Sequence, residues 1–268
     1  ESIPMLNPKA GISYFLSSAS TLYFSFAHAT KEPNRSDYKE YAKNIKKGAE
    51  LPRQEKVNDF ELGWRYISEK VKLNANVYYM LYKDQLVLTG DISNTGYSLR
   101  KNSGKSYRTG VEIDATVALA PRWEWAPNVS FSKNKNIDYT IQDPNTPTQK
   151  INLGNTDISF SPDWVVGNTI SFTPIDNFQI SLISKYIGER YLTNENQENA
   201  LLEDFLVHSL HLSYELLPQK LFKSVLFSVT ANNLLNKKYV AHGRYASGKP
   251  LYFPAAELNS MVGITFTF

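Results

Sequence analysis

The chain contains one stretch that resembles a nucleotide-binding motif, Gly104-Lys105-Ser106. A phosphate-binding loop with this ending also needs a glycine at position 99, where this chain has Leu99. The sequence contains no nucleophile elbow, no zinc-protease motif and no convincing pair of carboxylates for acid–base work. These residue types and spacings therefore predict a protein that is not an enzyme.

Histidine and cysteine supply most metal sites in proteins, and this chain has 4 His and 0 Cys. His208 and His211 are three residues apart on a predicted strand, so their side chains point to opposite faces and share no ion. His28 and His242 lie near predicted loops, where they are either ordinary surface histidines or contacts for a ligand from outside. We therefore expect no resident metal and no cofactor.

The elements that position these residues are strands, and the last stretch, 258–268, shows their pattern. From Val262 to Phe268 every second residue is apolar, and the residues between them are small or polar. This alternation places all apolar side chains on one face of a strand. It is typical of a half-buried strand in a soluble sandwich and also of a membrane barrel strand that contacts lipid.

Alternation of this kind, or a short apolar run between turn residues, recurs along the chain and predicts eleven strands. They are 9–16, 21–30, 56–67, 71–88, 107–119, 123–134, 163–173, 178–188, 204–216, 225–232 and 258–268.

The connections alternate strictly between short turns and long or medium loops, so all short turns fall at one end of the sheet. Many strands have about ten or more residues, which is the length that a tilted strand needs to cross a bilayer. Both features are typical of an outer-membrane barrel and not of a soluble sandwich. Charged residues are costly on the lipid side, so Glu61, Arg65, Glu112 and Asp114 are predicted to point inward. The apolar residues that alternate with them are predicted to face outward to lipid: Phe60, Leu62, Val111, Ile113, Val262 and Ile264. The predicted turns are 17–20, 68–70, 120–122, 174–177 and 218–223.

The composition is compatible with a membrane barrel and argues against a nucleic-acid-binding protein and against a transmembrane helix. The chain has 268 residues, a net charge of +3 and no basic patch dense enough to bind nucleic acid. Its mean hydropathy is −0.38 and it has no run of about eighteen apolar residues. A barrel exposes only every second residue to lipid, so low hydropathy is compatible with it. The chain starts at Glu1 without a signal peptide, and we expect it to be part of a longer precursor.

Several blocks, in this order and spacing, resemble the barrel of TonB-dependent outer-membrane receptors. The KEPNRSDY block at 31–38 is similar to Bacteroidetes-type members. The other blocks are NPKAGISY at 7–14, LYFSFA at 22–27, LPRQEKVNDFELG at 51–63, GKSYRTGVE at 104–112 and NNLLNKKY at 232–239.

The resemblance implies an all-β fold: an antiparallel transmembrane β-barrel of about eleven strands, with the plug absent. Residues 1–268 would be the C-terminal half of a 22-stranded barrel. It implies location in the bacterial outer membrane, next to lipid and lipopolysaccharide, and TonB-dependent uptake of a ferric siderophore or other iron complex. The TonB complex would act through the missing N-terminal plug region, and no nucleic acid partner is implied. Cobalamin, haem and glycan remain alternative ligands, and an adhesin or porin remains an alternative barrel.

The basic surplus in the loop 31–53 is first explained by a solvated loop that faces lipopolysaccharide phosphates, and the alternative is that it attracts anionic ferric complexes. The candidate ligand contacts all lie in predicted long loops at the barrel mouth. They are Arg35, Lys39, His242, Arg244, Tyr245 and Tyr252.

Overall fold

A computed structural model describes residues 5–44, 50–92, 98–143, 145–146, 149–218, 221–246 and 248–268. Its main feature is one antiparallel sheet whose strands follow each other in chain order, apart from short strands inside the long connections. A two-residue strand, Thr156–Asp157, also pairs with residues 135–136 of this sheet. Eleven strands form the continuous path. They are β1 (Lys9–Phe15), β2 (Ser20–Lys31), β3 (Glu55–Ile67), β4 (Val71–Lys83), β7 (Lys105–Ala120), β8 (Trp123–Ile137), β12 (Trp164–Ile175), β13 (Phe178–Ile187), β16 (Phe205–Leu216), β17 (Ser224–Asn232) and β20 (Asn259–Thr267).

All eleven predicted strands are present, so the all-β antiparallel prediction is confirmed. The largest boundary error is in the predicted strand 71–88, which ends at Lys83. Asp84 adopts a positive φ of 56°, which turns the chain out of the sheet. The alternation continues past this turn because Leu86–Ile92 starts a separate hairpin, and periodicity alone does not detect the break.

The long connections contain secondary structure that the alternation pattern does not predict. The loop 31–53 contains a helix, α1 (Arg35–Asn44). The Asn34 N–H donates to the Asp37 carboxylate at 2.8 Å, as in a helix capping box. Short strands fill the other loops: β5 (Leu86–Ile92) pairs with β6 (Ser98–Asn102), β9 (Thr140–Gln142) with β10 (Lys150–Asn152), β14 (Arg190–Tyr191) with β15 (Leu201–Leu202), and β18 (Val240–Ala246) with β19 (Lys249–Pro254), while β11 is Thr156–Asp157.

The short connections lie at one end of the sheet, as predicted. Backbone hydrogen bonds join these turns to the neighbouring strand of the sheet. Ile67 N–H donates to Ala19 O at 2.8 Å, and Thr173 N–H donates to Arg122 O at 2.9 Å. Residues 219–220 of the last turn lie outside the described residues. We call this the turn end, and the opposite end the loop end.

The outer face of the sheet carries an apolar band. The register aligns Leu62 with Val77, and Val77 with Val111, on three neighbouring strands. Aromatic pairs border the band: Trp123 stacks on Phe172 at 4.3 Å at the turn end. The residues predicted to point outward all lie on this face, which confirms the predicted register. They are Phe60, Leu62, Val111, Ile113, Val262 and Ile264.

The band has the height of a bilayer core. On β4 the outer-face side chains from Val71 to Leu81 are apolar, which is ten residue steps. At about 3.3 Å per residue and a tilt of about 40°, this stretch rises about 25 Å along the membrane normal. That height matches the apolar band of transmembrane barrels.

The opposite, inner face is polar. Register places Ser25 beside Glu61, and Asn76 beside Glu112, and Asn74 Nδ2 donates to Asp114 at 2.9 Å. The guanidinium of Arg65 lies over the ring of Tyr23 on this face, 4.8 Å from its centre. Glu61, Arg65, Glu112 and Asp114 therefore point inward, as predicted.

Two inner-face tyrosines lie flat on the sheet because glycines occupy the neighbouring strand. A Cβ at Gly63 would be 2.1 Å from Tyr23, and one at Gly110 would be 2.7 Å from the Tyr78 hydroxyl. Register pairs Tyr23 with Gly63 and Tyr78 with Gly110. The glycines therefore let both rings cover the wall without projecting far from it.

The sheet has two free edges in the described part of the chain. There, β1 pairs with β2 alone, and β20 pairs with β17 alone. The first strand, β1, therefore exposes one edge in this part of the chain. Such an edge recruits another strand.

Among the described residues, no helix is both long and apolar enough to span a bilayer.

We expect an arginine to be tolerated on the inner face and not on the outer face. Leu62→Arg places a charge near the middle of the apolar band, and it should lower the free energy of unfolding in phospholipid vesicles by about 2–4 kcal/mol. Ser25→Arg is the matched control, because its guanidinium would lie beside Glu61. Denaturant titration of the receptor that contains this chain measures both, and equal losses would contradict the assigned faces.

Candidate functional site

A pocket of about 370 Å³ opens on the inner face, towards the loop end. Because neighbouring strands β3, β4, β7, β8 and β12 all line it, the inner face is concave here. Residues 160–162, which precede β12, form its upper wall. The strand residues that line it are Glu61, Asn76, Tyr78, Met80, Arg108, Glu112, Ser132, Asn134 and Val165.

Arg108 is the single cation among the described residues that line this pocket, and two acceptors hold its side chain. Its Nη1 donates to Asn134 Oδ1 at 3.3 Å and to Ser161 Oγ at 3.1 Å. The second acceptor belongs to the connection before β12, so Arg108 ties the wall to that connection. Glu61 and Glu112 supply two carboxylates, which leaves the pocket with a formal negative charge.

The inner face contains polar atoms that lack partners. Among the described residues, Asp59 Oδ1, Asn76 Oδ1 and Asn136 Oδ1 are buried without a hydrogen bond. An unpaired buried polar atom costs about 1–3 kcal/mol, so native proteins usually satisfy such groups. The inner face is therefore suited to contact water or another polar surface.

A small core lies above the pocket, in the long connections. Leu192, Ala200 and Leu202 are almost fully buried, and Phe160, Val240 and Tyr245 pack against them. These residues come from the connections that contain β14–β15, β11 and β18–β19. We name these connections together with the β5–β6 hairpin the loop cap.

Asn194 links three connections of the loop cap through one side chain that is 1% exposed. Its Nδ2 donates to Leu88 O of β5 at 2.9 Å. Its Oδ1 accepts from Ser159 N–H at 3.0 Å and from Asn136 Nδ2 at 3.3 Å. Leu88 and Ser159 lie in two separate connections and Asn136 lies near the end of β8, so Asn194 fixes the relative positions of the two connections above the sheet.

Two buried groups strengthen the loop cap. Arg190 Nη2 donates to Ala241 O at 2.5 Å, and its guanidinium lies 5.6 Å from the ring centre of Phe205. Burial lowers the pKa of Arg190. Tyr139 is 1% exposed, and Lys101 Nζ lies 4.3 Å from its ring centre. Burial, with a smaller contribution from Glu195, raises the pKa of Tyr139.

The predicted ligand residues of the last loop divide between two faces of the β18–β19 hairpin. His242 and Arg244 are exposed on one face, where His242 stacks on Phe253 at 5.9 Å and contacts Phe160 at 5.4 Å. Tyr245 and Tyr252 lie on the other face: Tyr245 packs on the small core, and the Tyr252 hydroxyl donates to Asn199 O at 3.0 Å. His242 and Arg244 are thus exposed to solvent, whereas Tyr245 and Tyr252 make contacts within the loop cap.

Arg35 and Lys39 are exposed on α1, one turn apart and on the same side of the helix. The helix lies against β6, and β5 lies against β18, so the β5–β6 hairpin separates α1 from the β18–β19 hairpin. Arg53 of the same loop is held by Asp84 at 2.6 Å, a hydrogen bond that raises the pKa of Arg53. Residues 45–49, which include two lysines of the predicted basic surplus, lie outside the described residues.

Sequence reasoning missed the inner-face pocket and the role of Asn194. The alternation along β7 predicts that Arg108 and Glu112 point inward. It does not predict the pocket that they line together, because residues 160–162 form one of its walls. Among the described side chains, no cluster of three or more His, Asp or Glu could hold a metal ion.

Strands of bilayer length, an apolar outer band, a polar concave wall and long connections at one end define a segment of a transmembrane β-barrel. The sequence matches the family model described as "TonB dependent receptor-like, beta-barrel" over residues 4–234. The chain belongs to this family, whose barrels lie in the bacterial outer membrane.

Two curated relatives are named as receptors, one for pesticin and one for ferric pyoverdine. The chain is 28% identical over 198 residues to the "Pesticin receptor" of Yersinia enterocolitica, which covers 72% of this chain and 26% of that protein. It is 22% identical over 244 residues to the "Ferric-pyoverdine 358 receptor" of Pseudomonas putida, which covers 88% of this chain and 26% of that protein. The chain thus spans about a quarter of the length of these relatives.

Solved structures have the same fold. The ferric yersiniabactin uptake receptor FyuA from Yersinia pestis superposes with a TM-score of 0.67 at 20% identity, over 97% of this chain and 36% of that chain. The copper transporter OprC superposes with a TM-score of 0.72 at 15% identity, over 97% of this chain and 39% of that chain.

We expect Asn194→Ala to loosen the loop cap without unfolding the sheet. The substitution leaves Leu88 O and Ser159 N–H without their partner, which should cost about 1–3 kcal/mol of local opening free energy. Hydrogen exchange measures this as lost protection at Ser159 and its neighbours. Asn199→Ala is the control, because the Asn199 side chain is exposed and only its backbone oxygen accepts a bond. Equal exchange in both variants would contradict the linking role.

Proposed function

We propose that the complete receptor takes up a ferric siderophore or a similar iron complex across the outer membrane, driven by the TonB complex. The observation that carries this proposal is the family membership of the chain together with the relatives that are named for ferric siderophores and pesticin. The geometry supports it, because a preassembled loop cap lies above a polar wall and suits capture of a ligand too large for simple diffusion. A transport receptor of this kind catalyses no reaction.

In this proposal residues 1–268 form one segment of the barrel, and the rest of the receptor supplies the remaining wall and a plug. The TonB complex would act on the plug, which lies outside this chain. Ligand would first contact exposed side chains at the mouth and then pass along the inner face. Arg35, Lys39, His242 and Arg244 are the ligand contacts that we propose, because they are exposed in the long connections. Tyr245 and Tyr252 would instead support the hairpin that carries His242.

The inner wall supports an interaction with a cationic surface. Asp59, Glu61 and Glu112 face inward, and in the described part of the chain none of them forms a salt bridge. Uncompensated carboxylates on a concave wall attract positive charge. We propose that basic groups of the plug pair with them and so position the plug below the loop cap.

Haem is the second candidate ligand, and His242 is the observation that favours it. Its imidazole is exposed at the mouth between the rings of Phe160 and Phe253. An exposed imidazole is a good iron ligand, and neighbouring aromatic rings suit a flat macrocycle.

The function is tested by uptake of radioactive iron in cells under iron limitation. Cells that lack the receptor should lose uptake from at least one ferric siderophore, and the complete gene should restore it. Uptake should also stop when the proton gradient is collapsed. Normal iron uptake from every siderophore and from haem, in cells without the receptor, would contradict the proposal.

We expect Arg35→Gln with Lys39→Gln to weaken binding of an anionic ferric complex, because the double variant removes two positive charges from α1. The affinity should fall by about tenfold, and its dependence on salt should become weaker. Lys237→Gln with Lys238→Gln is the control of equal charge on another connection. Isothermal titration of the purified receptor measures both, and equal losses would show a general charge effect and contradict a local contact.

His242→Ala separates the two ligand classes. If haem is the ligand, the variant should lose the visible absorption band of histidine-bound haem. If a siderophore is the ligand, uptake of its iron should change far less than it does in the α1 variant.

A further inference from the structure

Three lysines form a row on the outer face at the loop end. Register aligns Lys56 of β3 with Lys83 of β4, and Lys83 with Lys105 of β7. Neighbouring strands are about 4.8 Å apart, so the three side chains start within about 10 Å of one another. All three are exposed, and we name them the lysine row.

The lysine row lies just above the apolar band. Lys56 is four residues from Phe60 along β3, and Lys105 is two residues from Tyr107 along β7. Tyr79 and Tyr107 pack together below the row, with ring centres 6.3 Å apart. Aromatic side chains of this kind mark the boundary between hydrocarbon and headgroups. The ammonium groups therefore lie at the depth of the lipid headgroups, on the side of the long connections.

The three lysines of the row differ from the neighbouring lysines in their ion pairing. In the part of the chain that the structure describes, none of the three forms a salt bridge. The next two lysines on this face, Lys133 and Lys135 of β8, do pair, with Asp163 and Asp157. Among the described residues, the two lysines of β8 thus have acidic partners on other segments, and the three lysines of the row have none.

Ordinary reasons for surface lysines do not explain the row. Lysine often protects the edge of a sheet from pairing, but β3, β4 and β7 are all interior strands. Like charges directly opposite each other on neighbouring strands are destabilising. Three of them in register therefore imply an external anion that compensates the repulsion.

We infer that the lysine row binds the phosphate groups of an anionic lipid in the outer leaflet. The chemistry follows from the position: multiple ammonium groups at headgroup depth match a lipid with more than one phosphate, and the apolar band below them receives its acyl chains. This inference rests on the location of the outer face in the membrane and is independent of the transported ligand.

The test uses the complete receptor in nanodiscs of phosphatidylcholine with a small fraction of lipid A that carries two phosphates. Native mass spectrometry measures the lipid A that stays bound. The triple variant Lys56→Gln, Lys83→Gln and Lys105→Gln should bind at least about tenfold less, since one lysine near an anionic surface contributes a factor of about five. The control triple, Lys237→Gln, Lys238→Gln and Lys249→Gln, removes equal charge from exposed positions in the last connection and should bind as the wild type does.

Three further outcomes decide the inference. Lipid A without phosphates should bind to the wild type at least about tenfold less than lipid A with two phosphates. Inorganic phosphate at about 10 mM should not displace bound lipid A, because the acyl chains contribute to binding in addition to the phosphate contacts. Equal binding of lipid A by wild type and row variant, or its displacement by inorganic phosphate, would overturn the proposal. In detergent without anionic lipid, the row variant should unfold at the same or a higher temperature than the wild type. A lower temperature would show a structural role and would also overturn it.

Discussion

The structure depends on the need to pair every backbone polar group that enters hydrocarbon. Lipid offers no hydrogen bonds, so a strand can cross a bilayer only between two paired neighbours. The continuous antiparallel path from β1 to β20 satisfies this need for its nine interior strands. Because the ladder fixes every side chain on one of two faces, the same pairing creates both the apolar outer band and the polar inner wall. The two outermost strands keep one unpaired side each, which a complete barrel would close.

The same constraint explains why the long connections carry the candidate site. At the loop end water is available, so the backbone is free to leave the sheet and form hairpins and a helix. These connections are nevertheless ordered by their own contacts, chiefly the small core around Leu202 and the three hydrogen bonds of Asn194. A mouth that is ordered before ligand arrives loses less entropy on binding than a flexible one.

The sheet was predictable from the sequence, and the loop cap was not. Strand faces follow from a period of two residues, so the alternation alone assigns Glu61 and Leu62 to opposite faces. The break at Asp84 could not be predicted, because a single left-handed residue leaves the alternation on both sides intact. Asn34 and Asp37 are a local sequence signal for the start of helix α1, but a search for strand periodicity does not detect it. Asn194 and Arg190 have no periodic signal at all, since their partners come from distant loops. For the candidate site, the sequence therefore predicted which side chains lie in the long connections. It did not predict that Tyr245 and Tyr252 make contacts inside the loop cap while His242 and Arg244 stay exposed.

The assignment of the two faces is tested most directly by nitroxide labels placed one at a time along β4, in the complete receptor in lipid. The chain has 0 Cys, so each introduced thiol is unique within it. Collision with oxygen, which concentrates in hydrocarbon, should be high at Leu73, Ala75 and Val77 and low at Asn74, Asn76 and Tyr78. An alternation of two residues with this phase would establish that the apolar band contacts lipid. Uniform accessibility, or the opposite phase, would contradict the barrel assignment.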